Sequence, residues 1–184
     1  MTVQLKKRLV SVADYHKMAE IGILPERGVE LINGEIIEMS PIGSKHAKIV
    51  NKLNQILNVS LGQSVIISVQ NPIIANDFSE PEPDITVLKR REDFYENEHP
   101  HGKDALLVIE VSDSSVAYDR KFKLPLYAES GVPECWLIDV EKQEIYTHWQ
   151  PAGQAYKFSE LVQRGELAKT RYFELELDTA QLFR

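Results

Sequence analysis

Apolar residues recur along the chain with two periods, and the longest regular stretch has the period of a helix. From Ser44 to Leu61 they return every three or four positions, which predicts an amphipathic helix that ends at Gly62. Shorter apolar runs have the length and composition of β-strands. These runs predict strands at 65–70, 73–75, 83–88, 106–111, 136–138 and 144–149.

The N-terminal part of the chain predicts a helix followed by a hairpin. Ser11 is a suitable N-cap for a short helix that Gly22 would end. The strand-like runs 29–32 and 35–39 then flank Asn33-Gly34. Both residues of this dipeptide accept positive φ angles, so it is a strong signal for a tight β-hairpin. We interpret the helix and the hairpin as N-terminal additions to a larger domain.

The rest of the chain alternates polar connections with regular elements. Residues 89–102 are too charged to pack internally and predict a long surface loop. A second helix is predicted near 116–130, with Gly131 as its end. A turn is predicted at 151–153, and only weaker elements are expected from there to Arg184.

The order of these elements predicts the fold class. Between Ser44 and Asp139 the order is helix, strand, strand, strand, helix, strand. The run 106–111 is apolar on both faces, so its sheet needs cover on both sides. We therefore expect an α/β fold with a mixed β-sheet flanked by helices. The 184 residues, 43% of them hydrophobic, fit a single domain spanning 1–184 with its core at about 44–139.

The charge of the chain limits its partners. A net charge of −7 argues against a protein that coats nucleic acid through its overall field, so any nucleic-acid contact must be local or assisted by a metal ion. No apolar run approaches the roughly 20 residues that span a bilayer, and no secretory signal is evident, so we expect a cytoplasmic protein without membrane contact. The single cysteine, Cys135, excludes an internal disulfide and is expected in the core.

Two acidic residues occupy strand positions where a charge is costly. Asp84 lies at the start of the run 83–88, and Glu110 lies inside 106–111. A carboxylate removed from water needs a partner. Neighbouring strands are about 4.8 Å apart, so both carboxylates could bind one hard cation such as Mg²⁺. Lys123, on the second predicted helix, could bring an ammonium group to the same place.

These groups suit the hydrolysis of a phosphodiester. A cation held by two carboxylates polarises a phosphate and lowers the pKa of bound water, while a lysine orients that water or neutralises charge on phosphorus. The residues by themselves indicate only a metal site. The same groups could therefore serve a phosphohydrolase that acts on a small phosphate ester.

Several linked motifs resemble those of one protein family. They are Glu-Pro-Asp84-Ile-Thr-Val, Leu-Val-Ile-Glu110-Val-Ser, Tyr118-Asp119-Arg120 with Lys123, Tyr127, and Gly131-Val-Pro-Glu-Cys-Trp-Leu-Ile-Asp139. From Glu30 to Asp139 at least, the chain resembles the Uma-type putative restriction endonucleases, which belong to the PD-(D/E)XK nuclease superfamily.

The resemblance implies a restriction-endonuclease-like fold, a DNA substrate, a homodimer and a site that uses Mg²⁺ or Mn²⁺. By the same resemblance Asp84 and Glu110 are catalytic acids and metal ligands. The lysine expected two residues after the second acid is Ser112 here. Lys123 would have to replace it from the following helix, and a long, flexible lysine stem makes that replacement sterically reasonable.

Four further residues are candidate supporting members of the site. Glu30 resembles the additional N-terminal acid of this superfamily. His46 could contact a phosphate or water, or it could be a solvated side chain. Gln70 could orient water or merely end its strand. Tyr127 belongs to the matching motifs and lies one helical turn after Lys123.

Each main assignment also has a simpler alternative. Asp84 could bond a turn backbone, Glu110 could belong to a structural ion pair, and Lys123 could form an exposed pair with Asp119. The main alternative function is a binding or assembly module with the nuclease fold but without turnover, and Ser112 supports it. If Glu110 is a buried, unpaired charge, its removal should stabilise the metal-free protein.

Overall fold

The structure is a computed structural model that describes residues 7–25, 27–113 and 115–184. Within these residues, none of the helices combines the length and the apolar character needed to cross a membrane. The helices and strands, in chain order, are α1 (Val12–Glu20), β1 (Val29–Ile32), β2 (Glu35–Glu38), α2 (Ser44–Leu61), β3 (Val65–Val69), β4 (Ile85–Lys89), β5 (Ala105–Ser112), α3 (Val116–Tyr118), α4 (Leu124–Glu129), β6 (Glu134–Asp139), β7 (Glu144–Ala152), β8 (Ala155–Val162), β9 (Leu167–Lys169), β10 (Glu176–Asp178) and α5 (Thr179–Phe183).

A six-stranded mixed sheet forms the centre of the protein, in the order β3-β4-β5-β6-β7-β8. Strands β5 and β6 are parallel, and the other neighbours are antiparallel. A parallel pair needs a crossover connection, which the helical segment from α3 to α4 supplies. The predicted α/β class with a mixed sheet and helices is confirmed. The sheet also extends beyond the expected core of 44–139, because β7 and β8 continue it to Val162.

Strand β5 is covered on both faces of the sheet, as its apolar sequence predicts. On one face, Ile109 packs in a cluster that includes Leu53 of α2. On the other face, Val108 packs in a second cluster that includes Tyr127 of α4. Side chains alternate along a strand, so Glu110 lies on the same face as Val108. The buried acid therefore faces α4.

The N-terminal helix and hairpin form as predicted. Asn33 and Gly34 have φ angles of 51° and 76°, which is the positive-φ pair that a tight hairpin turn requires. The Oγ atom of Ser11 accepts a hydrogen bond of 3.1 Å from the backbone N–H of Asp14, so Ser11 is the N-cap of α1. The small sheet β1–β2 packs against α1 through the fully buried side chain of Leu31.

The strand predicted at 73–75 is wrong. β3 ends one residue before Gln70, which has a φ of 51°. This turn and the following Pro72 take the chain out of the ladder, since proline has no N–H to donate to a neighbouring strand. The segment keeps only an isolated bridge between Ile74 and His101. Ile73 is fully buried in the core without pairing in the sheet, and Ile74 and Ala75 are half-buried.

The helix predicted near 116–130 is interrupted. Between α3 and α4 the residues Asp119–Lys123 form a π-helical segment, in which the N–H of Leu124 donates to the carbonyl of Asp119 five residues earlier. Pro125 follows directly and lacks the N–H that a regular helix would use. Asp119 and Lys123 are the buried residues of this segment.

The predicted turn at 151–153 begins too early. β7 continues through Ala152, and Pro151 is paired with Tyr156 of β8. Gln150 has a φ of 60°, a local distortion that accommodates the proline within the strand. The chain reverses instead at Gly153, whose φ is 61°. Strands β8, β9 and β10 and helix α5 make up the region where only weaker elements were expected.

Candidate active site

Asp84 lies directly before β4 and across from Glu110 of β5. The antiparallel ladder pairs Ile85 with Ile109, and the next position in the same register places Asp84 opposite Glu110. Residues that oppose each other on neighbouring strands project on the same face. Both acids are nearly inaccessible, with 8% of Asp84 and 3% of Glu110 exposed. Asp84 and Glu110 therefore occupy the adjacent strand positions that the sequence predicts.

Three donors orient the carboxylate of Asp84. Its Oδ2 atom accepts from the backbone N–H of Val111 at 2.9 Å. Its Oδ1 atom accepts from His46 Nε2 at 2.7 Å and from Gln70 Nε2 at 3.2 Å. The hydrogen bond to Asp84 raises the pKa of His46, although burial lowers it. His46 and Gln70 are thus brought to the site, and the backbone partner of Asp84 belongs to the neighbouring strand rather than to a turn.

Lys123 reaches the site from the π-helical segment. Its Nζ atom lies 3.0 Å from Glu30 Oε2 and 3.3 Å from Glu110 Oε1. Only 6% of Lys123 is exposed. Glu30 Oε2 also accepts from the backbone N–H of Glu82 at 3.3 Å. The simpler alternative, an exposed pair between Lys123 and Asp119, is wrong because both side chains are buried and Lys123 pairs with the two glutamates.

The protonation states at the site follow from burial and from neighbouring charges. Burial lowers the pKa of Lys123, but the carboxylates of Glu110 and Glu30 raise it by more, so the ammonium stays charged. Burial raises the pKa of Glu110. Tyr127 donates a hydrogen bond to Glu110 Oε1, and burial together with Glu110 raises the pKa of Tyr127 well above its ordinary value. Glu110 Oε1 therefore faces two groups that remain protonated.

Asp119 is also a buried member of the cluster, whereas the simpler alternative placed it in an exposed pair with Lys123. It is 4% exposed, and its Oδ2 atom accepts from the hydroxyls of Ser112 and Ser115. Ser112, two residues after Glu110, thus holds Asp119. The motif Tyr118-Asp119-Arg120 carried one signal for this residue, and its spacing of four from Lys123, which places both on one helical face, carried another.

The charge balance of the site suits a divalent cation. In the described part of the chain, the buried residues of the site are the four acids Glu30, Asp84, Glu110 and Asp119 and Lys123, whose ammonium contacts Glu30 and Glu110. The donors that Asp84 and Glu110 offer are oxygens, which Mg²⁺ and Mn²⁺ prefer. Mg²⁺ commonly binds through one or two carboxylates and completes its coordination with water and substrate phosphate. Two acids side by side on adjacent strands are sufficient protein ligands for such an ion.

Comparison with known protein families adds an independent observation. The family model described as "Uma2: Putative restriction endonuclease" matches residues 12–180. The chain belongs to this family. The Uma2 match includes α1 and the β1–β2 hairpin, and the hairpin contributes Glu30 to the candidate site. These two elements are therefore within the family region rather than outside it.

A solved structure has the same fold as this Uma2-family chain. The crystal structure described as a putative nuclease belonging to DUF820, from Anabaena variabilis, has a TM-score of 0.73 and 21% sequence identity to it. The similarity covers 95% of this chain and 97% of that one. It confirms the overall fold over nearly the whole length of both proteins. No curated protein matches the chain.

Proposed function

We propose that the chain is a divalent-metal-dependent nuclease that hydrolyses phosphodiester bonds in DNA and uses Mg²⁺ or Mn²⁺. The observation that carries this proposal is the buried ammonium of Lys123, placed between Glu30 and Glu110 beside the strand position of Asp84. Membership of the Uma2 family supports nuclease chemistry.

Asp84 and Glu110 would hold the ion. A divalent cation there supplies Lewis-acid polarisation of the phosphate and a water of lowered pKa. His46, Gln70 and the N–H of Val111 fix the orientation of the Asp84 carboxylate, so it need not reorganise when the ion binds. Tyr127 does the same for Glu110, because its hydroxyl donates to Oε1.

Lys123 would act as an electrostatic group and not as a general base. Its raised pKa keeps the ammonium protonated at neutral pH, so Lys123 can donate hydrogen bonds but cannot accept a proton. When a phosphate enters, Lys123 can donate to the attacking water or to a phosphate oxygen while Glu30 holds it from the other side. Loss of a comparable preorganised donor slows other enzymes by about 10²–10³-fold.

The Uma2 family description supports a nucleic-acid substrate, and the net charge bears on how that substrate would be bound. A net charge of −7 leaves little long-range attraction for DNA, so binding would depend on local contacts and on the metal ion. We expect a homodimer, which would give two cutting centres for the two strands of a duplex. Light scattering coupled to size-exclusion chromatography measures this directly, and a monomeric mass at assay concentrations would contradict it.

Cleavage assays test the proposal. Supercoiled plasmid, single-stranded DNA, RNA and a phosphomonoester are each incubated with the protein in Mg²⁺, Mn²⁺ or EDTA. We expect DNA cleavage that requires a divalent ion and that falls about 100-fold or more in Asp84→Asn, Glu110→Gln and Lys123→Gln. Lys121→Ala is the matched control, since Lys121 is exposed on the same helical segment and lies over the ring of Phe122.

Circular dichroism and melting curves show whether each variant is folded under the assay conditions. Cleavage that persists in EDTA, or folded variants as active as the wild type, would overturn the proposal. Cleavage of the phosphomonoester without cleavage of DNA would identify a phosphohydrolase instead.

One observation favours a second candidate, a nuclease-fold protein without turnover that serves in binding or assembly. Ser112 occupies the position where the family motif has lysine, and its hydroxyl is engaged with Asp119. This candidate predicts no cleavage of any substrate and no change in melting temperature when Mg²⁺ is added. A Mg²⁺-dependent rise in melting temperature that disappears in Asp84→Asn would count against it.

A further inference from the structure

A second cluster of metal-binding side chains lies outside the candidate active site. In the part of the chain that the structure describes, the ligand atoms of His16, Glu80 and His99 all lie within 4.8 Å of one another. The Nε2 atom of His16 is 2.9 Å from Glu80 Oε1 and 2.8 Å from Glu80 Oε2. The rings of His16 and His99 meet edge to face, with their centroids 6.0 Å apart.

Glu80 is the buried member of this cluster. Only 4% of it is exposed, and its backbone is fixed by a bridge to Leu31 of β1, with Glu80 N donating to Leu31 O at 2.8 Å. A carboxylate in that position requires a cationic or hydrogen-bonding partner. His16 approaches both of its oxygens from the solvent side, with 42% of the His16 side chain exposed. His99 is exposed as well, so an ion from solution can reach the cluster.

The three side chains come from three segments that backbone contacts already hold together. His16 lies on α1, and the N–H of Val12 at the start of α1 donates to Asp77 O at 2.8 Å. His99 precedes Pro100, whose carbonyl accepts from the N–H of Ile74 at 2.8 Å. The cluster is therefore arranged before any ion binds, which reduces the conformational cost of binding.

The donor set selects a different class of metal from the one expected at Asp84 and Glu110. Two imidazoles and one carboxylate are typical ligands of Zn²⁺, which binds nitrogen and oxygen donors at about 2.0–2.1 Å in tetrahedral geometry. Ligand atoms around such an ion are about 3.3 Å apart, so small side-chain rotations suffice to close the cluster. Mg²⁺ prefers oxygen ligands and octahedral geometry, and is disfavoured here.

We propose that His16, Glu80 and His99 form a binding site for Zn²⁺ or a similar divalent transition metal, separate from the candidate active site. The ion cross-links α1, the segment that leads from Asp77 to Asp84, and the loop 90–101. Its fourth ligand is water, because three protein ligands leave one tetrahedral position open. The proposal does not depend on nuclease activity.

Metal titration of the full-length protein tests the proposal. Isothermal titration calorimetry and elemental analysis measure the stoichiometry of Zn²⁺, and melting curves measure stabilisation. We expect one Zn²⁺ per chain and a rise in melting temperature of about 5 to 10 °C when free Zn²⁺ is about 100 times its Kd. His16→Gln and His99→Gln should each weaken binding by about tenfold or more.

Two controls separate this site from others. His101→Gln changes a histidine that follows the same loop, pairs with the exposed Glu98 and lies outside the cluster, so Zn²⁺ binding should be unchanged. The double variant Asp84→Asn/Glu110→Gln should also keep its Zn²⁺ and lose only the response to Mg²⁺.

The outcomes that would overturn the proposal are equally specific. They are a lack of Zn²⁺ binding by the wild-type protein, binding that survives in both His16→Gln and His99→Gln, or binding that is lost when Asp84 and Glu110 are replaced. In the last case Zn²⁺ would belong to the candidate active site. Replacement by Co²⁺ adds a spectroscopic test, because four-coordinate Co²⁺ has strong visible absorption that the histidine variants should lose.

Discussion

Lys123 is held between two carboxylates in the interior of the protein, and this environment determines its contribution to stability. Its ammonium contacts Glu30 and Glu110, and the residue is 6% exposed. Removal of one member of a buried ion pair leaves its partners charged and unpaired in a low-dielectric environment. The lysine therefore has a structural role in addition to its proposed catalytic one.

Lys123→Met should lower the free energy of unfolding by about 3–5 kcal/mol, the usual cost of breaking a buried ion pair. Urea denaturation in metal-free buffer measures this change. Lys121→Met is the control, since an exposed lysine without a buried partner should change stability by no more than about 0.5 kcal/mol. Equal stability of Lys123→Met and wild type would show that the ion pairs do not stabilise the fold.

Replacement of Glu110 should stabilise the metal-free protein, whereas replacement of Lys123 should destabilise it. Burial raises the pKa of this carboxyl, which means that the folded protein disfavours its charged form. The wild type therefore loses stability as pH rises from the ordinary pKa of a glutamate toward the raised pKa of Glu110, because Glu110 ionises more easily in the unfolded chain. Glu110→Gln, measured by thermal melting in EDTA, should melt above the wild type at pH 8, with a smaller difference at pH 6.

The sequence alone also predicts that removal of Glu110 stabilises the metal-free protein, on the assumption that Glu110 is a buried, unpaired charge. The structure changes the reason, because Glu110 is paired with Lys123 but lies among further buried carboxylates. A lower melting temperature for Glu110→Gln at pH 8 would mean that the attraction to Lys123 outweighs burial and repulsion.

His148 should contribute to the acid sensitivity of the protein. Burial, with a smaller effect of Arg120, lowers the pKa of His148 from 6.5 to about 4. As pH falls through this range the unfolded chain takes up a proton before the folded one, so folding stability decreases. Between pH 7 and pH 5 the free energy of unfolding of His148→Gln should therefore decrease by about 1–2 kcal/mol less than that of the wild type, with the partial exposure of the ring taken into account.

Urea denaturation at several pH values tests this expectation. The buried Nε2 atom of His148 has no hydrogen-bond partner among the described residues, so a glutamine that lacks a titrating group is a reasonable replacement. Parallel pH profiles for the variant and the wild type would contradict the prediction.

At the scale of elements, the π-helical segment Asp119–Lys123 carries two of the buried side chains of the site. A π-helical turn contains one residue more than an α-helical turn. Asp119 and Lys123 are both buried within this segment, while Phe122 is 37% exposed. Such single-turn insertions are frequent at functional sites.

Deletion of Phe122 should convert this segment to a regular helix, in which Lys123 follows Asp119 by three residues instead of four. The shorter spacing should displace the Lys123 ammonium from its contacts with Glu30 and Glu110 while Asp119 is held by Ser112. We expect nuclease activity to fall about 100-fold or more, while Phe122→Ala stays close to the wild type. Activity is compared on plasmid DNA, and melting curves verify folding. A folded deletion variant with full activity would show that the π-helical geometry is dispensable.

For the whole molecule, the net charge of −7 predicts weak binding to DNA in the absence of metal. Few phosphates can be neutralised by an acidic protein, so few counterions are released. In EDTA we expect a dissociation constant no tighter than about 10⁻⁴–10⁻⁶ M and only a shallow dependence on salt. Addition of Ca²⁺, which fills oxygen sites, should tighten binding about tenfold or more through the metal–phosphate contact.

Fluorescence anisotropy with a labelled duplex measures both quantities. Asp84→Asn/Glu110→Gln is the control, since the Ca²⁺ response should be absent without the two carboxylates. Tight binding in EDTA would contradict the prediction and would favour a metal-independent binding module.

The elements closest to their expected form are those specified by local physics. The Asn33-Gly34 turn, the long helix from Ser44 and the apolar strand of Glu110 each follow from φ preference or from hydrophobic period. The failures have one cause in common. At 73–75 and at Asp119–Lys123, a proline and a backbone irregularity interrupt the regular element. The apolar pattern of the sequence continues past each interruption, so it predicts a regular strand or helix there.

The sequence by itself determined the α/β class and the pair Asp84 and Glu110, because an acid inside an apolar strand is costly wherever the strand lies. It also pointed to Lys123, Glu30 and Tyr127 with the help of the family resemblance, and to His46 and Gln70 from their side-chain chemistry, without assigning their contacts. Only the tertiary structure decided that Glu30 and Glu110 share Lys123, that Ser112 holds Asp119, and that His16, Glu80 and His99 meet. These contacts join distant segments of chain, and their geometry depends on how the sheet, the hairpin and the interrupted helix pack together.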